Sequence, residues 1–93
     1  MSVLGKYKKQ PHENLDYDVS YTKFFSKRTD TISTVSVVAD PGVIIGASAT
    51  LGLVFKVFIG GGTDGQTYKV TVTMTSSTGV IKEDEFYVTV KEI

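Results

Sequence analysis

Thr67-Tyr68-Lys69-Val70-Thr71-Val72-Thr73-Met74-Thr75 is the stretch on which the reading of the fold turns. Tyr68, Val70, Val72 and Met74 alternate with Lys69, Thr71, Thr73 and Thr75. Successive side chains of a β-strand point to opposite faces, so one face of this segment is apolar and the other polar. That pattern suits an antiparallel sheet with one face on a core and the other in water. Ser76-Ser77-Thr78-Gly79 then turns the chain back, and residues 80–93 form the next strand. There Phe86, Val88 and Val90 face inward while Tyr87, Thr89 and Lys91 face outward. The charged run Lys82-Glu83-Asp84-Glu85 at its start reads as solvated or bulged. Charges so placed discourage edge-to-edge pairing.

The same period of two recurs upstream. In residues 53–59, Leu53, Phe55, Val57 and Ile59 point one way and Val54, Lys56 and Phe58 the other. Gly60-Gly61-Gly62-Thr63-Asp64-Gly65 after them reads as a hairpin loop whose glycines supply positive φ. Residues 43–50 form a short strand with Gly46 as a bulge or close-approach point. Residues 31–39 place Ser33, Val35, Val37 and Ala39 on one face and Ile32, Thr34, Ser36 and Val38 on the other. Asp40-Pro41-Gly42 stops that strand, since Pro lacks a ladder donor. Residues 16–25 form another strand, with Tyr17, Val19, Tyr21 and Lys23 opposite Asp18, Ser20, Thr22 and Phe24. The polar turn Ser26-Lys27-Arg28-Thr29-Asp30 follows it. No stretch carries apolar residues at helical spacing. Six or seven antiparallel strands therefore predict an all-β, immunoglobulin-like β-sandwich over residues 16–93, with a small closed barrel as the alternative. Residues 1–15 read as a polar, extended N-terminal arm outside the packed domain.

Composition narrows the function classes. The chain has 93 residues, ten basic and ten acidic side chains, no Cys and no Trp. Thirteen Val and twelve Thr lean it towards sheet. Zero formal charge gives no basic footprint for nucleic acid or anionic membrane. Without Cys there are no disulfides, thiolate ligands or Cys nucleophiles. Residues 43–59, the longest nearly uncharged run, are interrupted by Gly46, Gly52 and Lys56 and are too short to span a bilayer. No membrane and no nucleic-acid partner is expected.

Chemistry is sparse. His12 is the lone histidine and lies in the polar arm. An acid–base site needs a positioned, water-excluding pocket, and zinc would need three further ligands. Three adjacent carboxylates, Glu83, Asp84 and Glu85, lack the spaced oxygens of a calcium loop. The Gly60–Gly65 loop leads into a strand, so no helix N-terminus follows to hold a phosphate. No catalytic, metal or cofactor residues are assigned. Lys6, Lys8 and Lys9 around Tyr7 form a small basic patch that suits partner docking better than nucleic acid, because three cations give weak, salt-sensitive affinity. Tyr17, Tyr21 and Tyr87 are the candidates for a carbohydrate-stacking platform.

Two segments carry a family resemblance. One is Lys9-Gln10-Pro11-His12-Glu13-Asn14-Leu15-Asp16-Tyr17, followed by an aromatic strand and Asp30-Thr31-Ile32. The other runs from Phe55 through Gly60-Gly61-Gly62-Thr63-Asp64-Gly65-Gln66-Thr67-Tyr68 to the Tyr87-Val88-Thr89-Val90 strand. Together they resemble small bacteriophage proteins labelled phage fibre–tail adaptor or virion structural proteins, over most of residues 9–93. Gln10 stands where that family often has Asp, and Tyr21 or Phe24 replaces a Trp common in the first strand. The resemblance implies a non-enzymatic, Ig-like virion component, assembled in the bacterial host cytoplasm, in the fibre–tail adaptor or head–tail connector region. A capsid decoration or cement protein is the structural alternative, and a carbohydrate- or host-surface-binding module the alternative of another class. The implied partners are other virion proteins of tail, connector or capsid, in a homo-oligomeric or symmetric multi-copy assembly. The expected docking residues are Val3, Leu4, Lys6, Tyr7, Lys8, Lys9, Pro11, His12, Leu15 and Tyr17.

Overall fold

The structure, a computed structural model, describes residues 2–92. Met1 and Ile93, the outer ends of the expected arm and domain, lie outside the described residues. Seven strands follow one another: β1 (Ser2–Lys9), β2 (Leu15–Ser20), β3 (Ile32–Ala39), β4 (Val43–Leu51), β5 (Val54–Gly61), β6 (Thr67–Ser76) and β7 (Ile81–Val90). They form a four-stranded sheet of order β1-β7-β6-β3 and a three-stranded sheet of order β2-β5-β4. The immunoglobulin arrangement likewise places its second, fifth and fourth strands in one sheet and its third, sixth and seventh in the other. Here β1 adds to the second group, parallel to β7; every other pairing is antiparallel.

The inner faces are those that the alternation predicts. Val70, Val72 and Met74 of β6, Val88 and Val90 of β7, and Val57 and Ile59 of β5 are fully buried. Tyr17, Val19 and Tyr21 meet them from β2 and its end. In β3 the register shifts between Ile32 and Thr34, an extra residue that bulges the strand. The bulge moves Ile32 to the same side as Val35, Val37 and Ala39, and all four pack on the core. Alternation alone puts Ile32 on the opposite face. In β4 a shift between Ile45 and Ser48 bears out the irregularity expected at Gly46.

Four local expectations are replaced. Residues 2–9 are extended but not unpacked: their backbone ladders along β7, and Tyr7 reaches Tyr17 and Phe86. The strand expected over 16–25 ends at Ser20. Beyond it, the Tyr21 N–H donates to the Leu53 carbonyl (2.8 Å) and the Phe25 N–H to the Tyr21 carbonyl (3.0 Å). That turn closes one end of the sandwich and buries Phe25. The Gly60–Gly65 loop is not a hairpin, because β5 and β6 belong to different sheets. Finally, the β6–β7 register runs unbroken from Thr67↔Thr89 to Thr75↔Ile81, so the acidic run is ordinary strand. Period two then sends Asp84 inward, where it is 1% exposed, and the Lys82 ammonium sits 3.0 Å from its Oδ1.

The inter-sheet loop is pinned by Tyr68, at the start of β6. The Thr63 N–H donates to its hydroxyl (2.9 Å), a bond back to the chain just upstream like the tyrosine corner of immunoglobulin-type sandwiches. Two glycines at positive φ make room for its ring. A Cβ on Gly42 (φ +117) would lie 2.7 Å from Tyr68 Cε1. One on Gly62 (φ +98) would lie 3.3 Å from Tyr68 Cε2 and 2.5 Å from Val90 Cγ2. Tyr68→Phe leaves the Thr63 N–H without this partner; a loss of about 1–2 kcal/mol is expected in urea unfolding.

Candidate docking surface

The margin of the sandwich where β1 and β2 lie side by side gathers most of the expected docking residues. Its base is aromatic. Tyr7, Tyr17 and Phe86 form a triangle with ring centroids 5.2 Å (Tyr7–Tyr17), 5.8 Å (Tyr7–Phe86) and 5.2 Å (Tyr17–Phe86) apart. Such contacts fix the rings of Tyr7 and Tyr17, which border a groove. Tyr7, Lys8, Leu15, Asp16, Tyr17 and Asp18 line this open groove of about 450 Å³. Across β2, the Lys56 ammonium lies 2.9 Å from Asp16 and 3.6 Å from Asp18. Its hydrogen bond holds the Asp16 carboxyl below the usual range and raises the Lys56 ammonium. All three groups are solvated, so the pairing orients charge and adds little stability.

Burial divides the ten expected docking residues. Val3 (52% exposed), Leu4 (42%), Tyr7 (40%), Lys6, Lys8 and His12 are exposed. Pro11 and Leu15 are half-buried. Tyr17 is buried in the chain's own core, and Lys9 is buried at the end of β1. Lys9 is turned inward by its pairing with Val90; its ammonium donates to the Gln10 carbonyl (2.8 Å), and burial lowers its pKa. The Gln10 N–H donates to Glu13 Oε1 (2.6 Å) and the Glu13 N–H back to the Gln10 carbonyl (3.1 Å). This closed turn presents His12 to solvent at the end of β1. Among the described residues no three His, Asp or Glu side chains are grouped so as to hold a metal ion.

On the outer face of the larger sheet, Val3 and Lys6 meet Thr67, Tyr87 and Thr89 around a second shallow depression of about 490 Å³. The outward orientation of Tyr87 and Thr89 follows from alternation, but their meeting with Val3 and Lys6 depends on β1 lying beside β7. The Tyr87 hydroxyl donates to Glu85 Oε2 (2.7 Å), and this bond raises its pKa. Tyr17 and Tyr21 are inside, so only Tyr87 of the three platform candidates faces outward.

Tyr21 has a distinct electrostatic position. Its hydroxyl, like that of Tyr17 and Oδ2 of Asp84, is buried without a hydrogen-bond partner among the described residues. Burial first, and the Asp84 charge second, push its pKa up to about 12 from an ordinary value near 10. The neutral phenol is favoured in the folded state, so this contribution is whole below pH 10 and is lost as pH rises from about 10 to 12. The loss is on the order of 2–3 kcal/mol. Tyr21→Phe, which removes the unpartnered hydroxyl, is expected to leave neutral-pH stability nearly unchanged and to flatten the alkaline decline. Urea unfolding at pH 9 to 12 checks this, and parallel declines in both proteins contradict it.

The chain is thus a two-sheet β-sandwich whose grooves are shallow and open to solvent. The family model of the podophage GP4 fiber-tail adaptor protein gp77 matches residues 9–89. The chain belongs to this bacteriophage family, whose role in the virion is structural. Comparison with curated proteins finds no match.

Proposed function

We propose that this chain is a non-enzymatic joint of the phage tail, an immunoglobulin-like module that docks onto another virion protein through its β1 margin. It acts in the virion and is assembled there in the host cytoplasm. The observation that carries the reading is the exposure of Val3, Leu4 and Tyr7 beside Lys6 and Lys8 on a strand already fixed along β7. A fixed strand binds with little further ordering cost, and the flanking ammonium groups favour a partner surface that is apolar with acidic edges. The same strand offers a free backbone edge for pairing with an extended partner segment.

The test uses exposed positions so that the fold survives. A Lys6→Glu/Lys8→Glu protein is expected to keep its circular dichroism and melting temperature yet fall at least tenfold in incorporation when it complements a phage lacking the natural copy. Normal incorporation of a folded double variant overturns the reading.

A further inference from the structure

We infer that two copies of this chain pair antiparallel along β4, joining their three-stranded sheets into one of six strands. The inference goes beyond the docking role of β1 and does not depend on it.

β4 is the free edge of its sheet and one of the longer strands, Val43–Leu51. Natural edge strands are usually short or guarded by charge. β4 carries no charged residue, nor does β3, the edge of the other sheet on the same side. The opposite edges differ: β1 has Lys6, Lys8 and Lys9, and β2 has Asp16 and Asp18. β4 is also poorly covered. Ile45, Ser48 and Thr50 pair with the inward-facing Ile59, Val57 and Phe55, yet all three are exposed. On the outer side Ile44 is 66% exposed and Leu51 75%.

Charge selects the occupant. A twofold contact sets a strand against its own copy, so an edge carrying one sign of charge meets that sign again, and like charges directly opposite in a sheet are destabilising. Pairing β1 with itself confronts lysines with lysines, and pairing β2 with itself confronts aspartates. Of the four edge strands, only β3 and β4 escape this, and β4 is the longer and barer. Centred on Thr50, the pairing sets Leu51 of one copy opposite Ala49 of the other, both on the outer face. The bulge at Gly46–Ala47 bends the first half of the strand, so Ser48–Leu51 supplies the backbone ladder. The dimer carries its two β1 margins on opposite ends, giving a bivalent joint.

Sedimentation equilibrium of the full chain from about 1 µM to 1 mM tests this. The expected result is a shift towards twice the 10.1 kDa chain mass, little altered between low and high salt because no charges meet. Ala49→Lys, at an exposed position, is expected to weaken association at least tenfold with the monomer fold retained by circular dichroism. Ile81→Lys removes an equally exposed apolar residue from β7 (69%) and is expected to leave association unchanged. A chain monomeric throughout, a dimer that survives Ala49→Lys, or one lost equally with Ile81→Lys overturns the inference. The Lys6→Glu/Lys8→Glu protein should dimerise normally, so a failed β1 reading and a failed β4 reading are told apart.

Discussion

Phe86→Ala is expected to lower stability by about 3–5 kcal/mol, the largest effect of any single truncation in this chain. Phe86 is 1% exposed at the middle of β7, which is itself an inner strand of the larger sheet. Its ring stacks on Tyr17 of the opposite sheet, 29° from parallel, and meets Tyr7 of β1 edge-on. The one side chain therefore ties β7, β2 and β1 together. Truncation leaves a cavity whose walls are strands fixed by their own ladders, so collapse is limited and most of the cost persists. Domains of this size hold only some 5–15 kcal/mol in total. The melting temperature should fall by more than about 10 °C in calorimetry, whereas Tyr87→Ala, one residue on and facing outward, should shift it by only a few degrees. Equal shifts would refute the assignment of faces in β7.

Lys82→Ala is expected to cost about 3–4 kcal/mol although Lys82 itself is partly exposed. Asp84 is 1% exposed among the core residues of the larger sheet, and Lys82 is the only cation within bonding distance of it among the described residues. Both lie on the inner side of β7 at a spacing of two. The Lys82 ammonium also lies 5.3 Å from the centroid of the Phe24 ring, which Arg28 caps at 4.7 Å. Taking the lysine away leaves a buried carboxylate without its counter-charge, and that penalty exceeds the lost attraction of an exposed pair. The double variant Lys82→Met/Asp84→Val removes the charge together with its partner and should recover most of the loss. Urea unfolding of the single and double variants decides it: a Lys82→Ala protein within 0.5 kcal/mol of the parent, roughly the range of neutral surface changes, would rule out the pairing as the carboxylate's main support.

Asp84 also marks where a one-dimensional reading fails. In a charged run Lys82-Glu83-Asp84-Glu85, residue type argues for solvent at every position. The strand period, carried back from Phe86, puts Asp84 inside. Composition and periodicity disagreed, and the backbone ladder to β6 settled the matter, because an uninterrupted register forces every second side chain inward. Ile32 is the reverse case: its apolar character pointed inward, its parity pointed outward, and a bulge restored the apolar side. For the docking residues the same division holds. Exposure of Lys6 and Lys8 follows from charge, but the burial of Lys9 follows from its place opposite Val90.

What the chain's own sequence determined is local: the strands, most of their faces, the turns at Asp40-Pro41-Gly42 and Ser76–Gly79, and the all-β class. These rest on side-chain period and backbone preference, which act over a few residues. The tertiary structure alone decided which strands are neighbours. It placed β1 parallel to β7, sent the Gly60–Gly65 loop between sheets, wedged Tyr68 between Gly42 and Gly62, and left β4 bare. The physical reason is that ladder hydrogen bonds are made by backbone groups common to all residues and carry no address. Partner choice comes from burying the whole apolar surface at once, a sum over the fold that no single segment expresses.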